Sequence, residues 1–146
     1  GFNNAAGEIG YMIMDKYHLR YSFKNEGIFE ETLSGMNSAM PFASMKELVE
    51  FAAGGDMKAA QCLEEITVYF SMLLANISSV LNPEMIVFTG ISAKVLFENK
   101  KEQIYSILKA HIPYVPELHL SRLEQDASII GAVEMALNIT DQDTVY

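Results

Sequence analysis

Three features of this sequence predict an α/β fold. Leu63, Ile66, Phe70, Leu73, Ile77 and Leu81 recur at alternating spacings of three and four, the period of a single helix face. Met85-Ile86-Val87-Phe88 follows directly, a short uninterrupted apolar run of the kind buried on both faces of a parallel or mixed sheet. Another helical pattern, a second short apolar segment and a final helical pattern come after it. The order helix, strand, helix, strand, helix packs as a mixed sheet flanked by helices, with right-handed crossovers between parallel strands.

From the start of the chain, Ile9 to Met14 reads as a strand or a buried extended segment, and Asp15 to Asn25 as a polar loop carrying scattered aromatics. Gly27 to Leu33 reads as a short helix stopped at Ser34-Gly35, and Met36 to Ser44, with Pro41, as a linker. Ser44 is placed to cap a helix over Met45–Ala53, with Glu47 at the capping-box position and Gly54-Gly55 ending it. Asp56 caps the long helix, whose second flank (Val68, Tyr69, Met72, Leu74, Val80) is also apolar, so it is expected to be buried on two sides or against a second subunit. Asn82-Pro83 ends it, because proline cannot continue a helix and disfavours helical geometry in the residue before it.

Beyond the Met85–Phe88 strand, Thr89-Gly90 turns the chain out. A helix then starts at Ser92 or Ala93 and runs to about His111, with Val95, Leu96, Ile104, Ile107 and Leu108 facing the core. Pro113 and Pro116 bracket a loop before a strand over Glu117 to Leu123. Asp126 or Ser128 caps the last helix, Ile129 to Asn138, in which Gly131-Ala132 permits close approach to the backbone. Residues 1–140 are therefore expected to form the domain, and Asp141 to Tyr146 a frayed tail.

Composition narrows the function. A formal net charge of −9 argues against gripping phosphate backbones, which requires clustered Lys and Arg. A single cysteine, Cys62, excludes an internal disulfide framework and fits a reducing cytoplasm; on an apolar helix it reads as a small core residue. Ile66 to Leu81 is interrupted by Thr67, Ser71, Asn76, Ser78 and Ser79 and falls short of the ~20 residues that cross a bilayer, so no membrane association is expected. The sequons at Asn76 and Asn138 lie on helices and read as chance. His18, His111 and His119 are scattered without cysteine partners and are expected on the surface or in loops.

Two stretches carry candidate chemistry. Glu8 lies between Gly7 and Gly10, and Glu30 follows Gly27-Ile28-Phe29. Glycines allow tight turns and close approach, so such carboxylates suit a small polyhydroxylated ligand; equally, the glycines alone make turns and leave Glu8 solvated. The Phe88-Thr89-Gly90 turn is the second candidate, since ligands of α/β sheets sit where strands end and helices begin.

Taken in order, Ala6-Gly7-Glu8-Ile9-Gly10-Tyr11, Gly27-Ile28-Phe29-Glu30, Gly55-Asp56 with Ala59, Leu81-Asn82-Pro83-Glu84-Met85-Ile86-Val87, and Asp126-Ala127 with Gly131-Ala132 resemble the C-terminal half of the ROK family (repressors, open reading frames, kinases). The resemblance implies an actin-like, ribonuclease-H-like ATPase fold, of which this chain is most of the second domain. It also implies a cytoplasmic protein, either a sugar kinase or a sugar-responsive repressor with an N-terminal winged helix.

Through the resemblance, Glu8 matches a glutamate that contacts a sugar hydroxyl, and Tyr11 stands where a histidine touches sugar and binds zinc. Tyr21, Phe23 and Ile28 stand at the cysteine ligands of that zinc, while Glu30 is retained as a further carboxylate near the sugar. None of these replacements offers the nitrogen or sulfur donor that structural zinc takes, so zinc is expected to be absent and Tyr11, Tyr21, Phe23 and Ile28 to form a hydrophobic plug in its place. Thr89, Gly90 and Gly131 fall on the nucleotide side. The catalytic Asp and first phosphate loop of the family's kinases belong to the N-terminal half, so no catalytic residue is expected here and ATP only in a kinase.

The expected protein is the effector-binding and oligomerisation part of a sugar-responsive regulator. It takes a sugar or sugar phosphate, forms a homodimer and reaches DNA only through a separate N-terminal domain. A divergent sugar kinase and a dimerisation-only module are the alternatives.

Overall fold

A computed structural model of the chain describes residues 7–16, 19, 42–122 and 127–142. A 3-10 turn at Ile9–Tyr11 is followed by α1 (Met45–Ala53), α2 (Met57–Leu81), β1 (Met85–Phe88), α3 (Ile91–His111), β2 (Glu117–Leu120) and α4 (Ala127–Gln142). The expected helix over Gly27 to Leu33 and the linker up to Pro41 lie outside the described residues, as do Tyr21, Phe23, Ile28, Glu30 and His18.

Local chemistry sets the helix ends. Ser44 Oγ accepts from the amide of Glu47 at 3.2 Å, and the Glu47 carboxylate accepts in return from the Ala43 amide at 2.6 Å, one residue upstream of the usual capping-box partner. Gly55, at φ +93°, reverses the chain into Asp56, whose Oδ1 accepts from the amides of Lys58 and Ala59, each at 2.9 Å. At the far end of α2, Asn82 adopts the left-handed conformation (φ 45°) and its amide donates to the Ser78 carbonyl, after which Pro83 prevents continuation.

α2 is the spine of the molecule. Its Ala59, Cys62, Leu63 and Ile66 meet Leu48 of α1 and Leu96 of α3 in one core cluster. Further along, its Leu74 meets Phe88, Phe97, Ile104, Leu108 and Leu118 in a second. Phe70 packs against both, and its ring lies 5.3 Å from that of Phe88, which lies 5.2 Å from that of Phe97.

The buried face of α2 also runs through Thr67, Ser71 and Ser78. Each hydroxyl donates to the carbonyl four residues back, at 2.6, 2.7 and 2.7 Å, so these polar groups enter the core satisfied by their own helix. Cys62 is buried as expected; burial, and then the nearby Glu65, push its thiol above its ordinary value.

The described strands form a two-stranded parallel sheet in the register Ile86↔Leu118 and Phe88↔Leu120, these four residues facing α2 and α3. The Tyr105 hydroxyl accepts from the Leu118 amide at 3.1 Å, tying α3 to β2. Across the top of the helices, Lys100 approaches Glu64 at 3.6 Å and Gln103 donates to the same carboxylate.

Several expectations are corrected. Ile9 to Met14 is not a strand: its amides close a 3-10 turn, and Ile9, Tyr11 and Ile13 are exposed. β1 is not buried on both faces, because no described element covers Met85 and Val87, which are 50% and 55% exposed. Leu81 is exposed with Val80 in the last turn of α2.

On the second flank of α2, Leu74 is buried, Tyr69 and Met72 are half-buried, and Val68 is exposed. β2 is described only to Leu120, and α4 continues through Asp141 to Gln142, past the expected end at Asn138. His111 and His119 are exposed as expected, the latter 2.8 Å from Glu117. No helix among the described residues is long and apolar enough to cross a membrane.

Ile104 is fully buried in the second cluster, so Ile104→Ala should lower the unfolding free energy by about 2–5 kcal/mol, whereas loss of the Asp56 cap in Asp56→Ala should cost about 1 kcal/mol. Urea denaturation of both variants checks the order.

Candidate functional site

The first candidate is built on the segment Gly7–Lys16. Gly7 has φ +96°, which a residue with a side chain adopts only under strain, and its carbonyl accepts from the Ile9 amide at 2.8 Å. The turn closes through Tyr11 N–H to Glu8 O at 3.2 Å and Met12 N–H to Ile9 O at 3.0 Å. Gly10 and Met14 are buried, while the Glu8 side chain makes no capping bond to the turn and is exposed. Gly7 makes the turn, Gly10 is buried within it and Glu8 is exposed, an arrangement common to a ligand-facing carboxylate and a solvated turn residue. Tyr11 is also exposed, at 37%.

The Tyr69 hydroxyl is pushed above its ordinary value by burial first, then by the negative charges of Asp15 and Glu65. Asp15 is therefore close enough to α2 to be felt by Tyr69, and Met14 is buried beside it in the chain.

The second candidate lies at the C-terminal ends of the two parallel strands, as the topology requires. A cleft of 260 Å³ is lined by Phe88, Thr89, Gly90, Ile91, Lys94, Val95, Glu98, Leu120 and Ser121. Gly90, at φ +94°, turns β1 into α3, and the Ser121 amide donates to the Phe88 carbonyl at 2.8 Å, joining the strand ends. A Cβ at Gly90 would meet nothing within 4 Å, so glycine is needed there for its dihedral and not for space.

The walls are mainly apolar, and the charges, Lys94 and Glu98, are of opposite sign. The volume lies just below the roughly 300–1,000 Å³ of most small-molecule sites. The sequence reading found Thr89 and Gly90 but missed Lys94, Glu98 and Ser121; a Lys and a Glu four apart in the opening turns of α3 was the available signal. Gly131 lies on the exposed surface of α4 and is not among the lining residues.

The model of the ROK family matches residues 1–139. The chain belongs to the ROK family. No curated protein matches it significantly. Among solved structures, this ROK chain is similar to a protein of Cytophaga hutchinsonii provisionally classed as a sugar kinase, with a TM-score of 0.65 and 18% identity. The match covers 90% of this chain and 48% of the other, so the ROK chain spans about half the length of that structure. At that identity the likeness shows a shared fold.

Of the positions matched to the family's zinc ligands, only Tyr11 lies among the described residues. The described residues hold no group of three or more His, Cys, Asp or Glu able to hold a metal ion.

Two measurements check these placements. Gly90→Ala should destabilise the fold by about 1–3 kcal/mol through backbone strain, whereas Gly131→Ala, in an exposed helix, should be neutral or stabilise by up to about 1 kcal/mol in the same denaturation assay. Because Tyr69 holds its proton more tightly folded than unfolded, stability should fall as pH rises through the tyrosine range, about pH 10. Tyr69→Phe should remove part of that alkaline loss, and Asp15→Asn a smaller part, since burial is the larger cause.

Proposed function

We propose that this chain is the sugar-binding and oligomerisation part of a ROK-type, sugar-responsive transcriptional regulator. Residues 1–140 form the domain on an actin-like, ribonuclease-H-like ATPase scaffold. The observation that carries this reading is Glu8: a carboxylate held outward by a glycine-made turn that is itself seated by the buried Gly10. It occupies the family's sugar-contacting position, and Glu30 supplies a second carboxylate to the same ligand, a sugar or sugar phosphate. Tyr11, with Tyr21, Phe23 and Ile28, stands at the positions of the family's zinc ligands.

A regulator needs only an effector that binds one of two conformations better than the other. A kinase must in addition present a general base and hold metal-bound phosphates. Loss of the sugar-touching histidine and of the zinc donors is therefore easier to reconcile with sensing than with phosphoryl transfer. DNA is reached through a separate domain of the full-length protein, and the exposed flank of α2 near Val68, Val80 and Leu81 supports a homodimer. The whole works in the cytoplasm.

The strand-end cleft favours a second reading, a divergent sugar kinase. Its one cation, Lys94, and the N-terminus of α3 would face a bound nucleotide there, with Thr89 and Gly90 forming the turn. Even so, Lys94 is offset by Glu98, which suits a triphosphate poorly.

Calorimetry of the full-length protein against a panel of sugars and sugar phosphates, paired with an assay of ATP consumption, tests the proposal. Heat is expected from at least one sugar without ATP turnover, and Glu8→Ala should weaken that binding by about 1.5–3 kcal/mol. Sugar-dependent ATP consumption would establish the kinase instead. An affinity unchanged in Glu8→Ala would remove Glu8 from the site, and no heat from any sugar would leave a dimerisation module.

A further inference from the structure

Because β1 and β2 run parallel, the loops that precede them gather at the end of the sheet opposite the Thr89–Ser121 cleft. Two hollows meet there. One, of 180 Å³, is lined by Ser78, Ser79, Asn82, Ile112, Pro113 and Tyr114. The other, of 390 Å³, shares Asn82 and Tyr114 and adds Pro83, Glu84, Val115 and Pro116. Tyr114 stands between them, 78% exposed, in an Ile-Pro-Tyr-Val-Pro segment. Nothing in the proposed sugar or nucleotide chemistry uses this end of the molecule.

We propose that the groove around Tyr114 is a protein-docking site that takes an arginine or lysine side chain of a partner polypeptide. Its electrostatics favour a cation. α2 ends at Leu81 and α3 at His111, so both helices turn their C-terminal carbonyls, each end equivalent to roughly half a negative charge, toward the same rim. Glu84 is the charged residue lining the groove, and it is acidic and exposed. The nearby basic side chains on α3 are drawn back onto their own helix: Lys109 lies over the Tyr105 ring at 5.9 Å, and His111 Nδ1 is 2.8 Å from the Ile107 carbonyl. The open Tyr114 ring offers a face on which a cation can stack.

The walls are also preformed. Pro83, Pro113 and Pro116 fix their own backbone torsions, and Asn82 is locked in the left-handed conformation by its place at the end of α2, so a partner loses little by ordering them. With a formal charge of −9, the whole chain draws a basic segment toward it.

The test uses full-length protein labelled with 3-fluorotyrosine, the Tyr114 resonance being identified by its loss in Tyr114→Phe. The probes are a capped two-arginine peptide and the same peptide with neutral citrulline at both positions. The arginine peptide should shift the Tyr114 resonance saturably at low salt, and citrulline should weaken the response about tenfold. Glu84→Gln should weaken arginine-peptide binding about threefold. An unmoved Tyr114 resonance, or an equal response to citrulline, would overturn the proposal. Dissociation of a dimer by Tyr114→Ala, with no response to either peptide, would assign the groove to a second copy of the chain.

Discussion

The structure depends on one helix staying buried along most of its length. α2 contributes to both core clusters, and Phe70 joins them, so α1, α3 and the sheet are held to one another largely through it. A helix this central can be approached closely only where its side chains are short, and Thr67, Ser71 and Ser78 supply those positions. Their hydroxyls would be costly to bury unpaired, yet each returns its hydrogen bond to its own helix and leaves no partner for the neighbouring elements to provide.

The strand-end cleft takes its position from that helix and its partners. Asp15, on the segment that carries the Glu8 turn, is felt electrostatically at Tyr69 of α2, and the strand-end cleft is carried by β1, whose Phe88 is wedged between Phe70 and Phe97. A rigid spine with exposed, glycine-shaped loops on it is the usual division between scaffold and site. The open face of β1, with Met85 and Val87 in solvent, agrees with a chain that spans about half of its structural neighbour.

Much of the fold was legible because its boundaries are set by local chemistry. Ser44 with Glu47, Asp56, and Asn82-Pro83 each act over a few residues, and the helix ends follow from them. What could not be read was which surfaces find a cover. Met85 and Val87 have the composition of a fully buried strand, but burial depends on elements elsewhere. Ile9 to Met14 is apolar enough for a strand, yet Gly7 bends it into a turn before pairing can begin. At the candidate sites, Glu8 and Gly90 announce themselves by glycine geometry, whereas Lys94, Glu98 and Ser121 converge only once β1, α3 and β2 are assembled. Glu30 and the Tyr21, Phe23 and Ile28 positions rest on the sequence alone.

The central claim is that the Glu8 turn receives a sugar. Hydrogen–deuterium exchange on the full-length protein, with and without a saturating sugar, tests it most directly. Slower exchange at residues 7–16 and around Glu30 is the expected result. Protection at the Thr89–Ser121 cleft with none at residues 7–16 would contradict the claim.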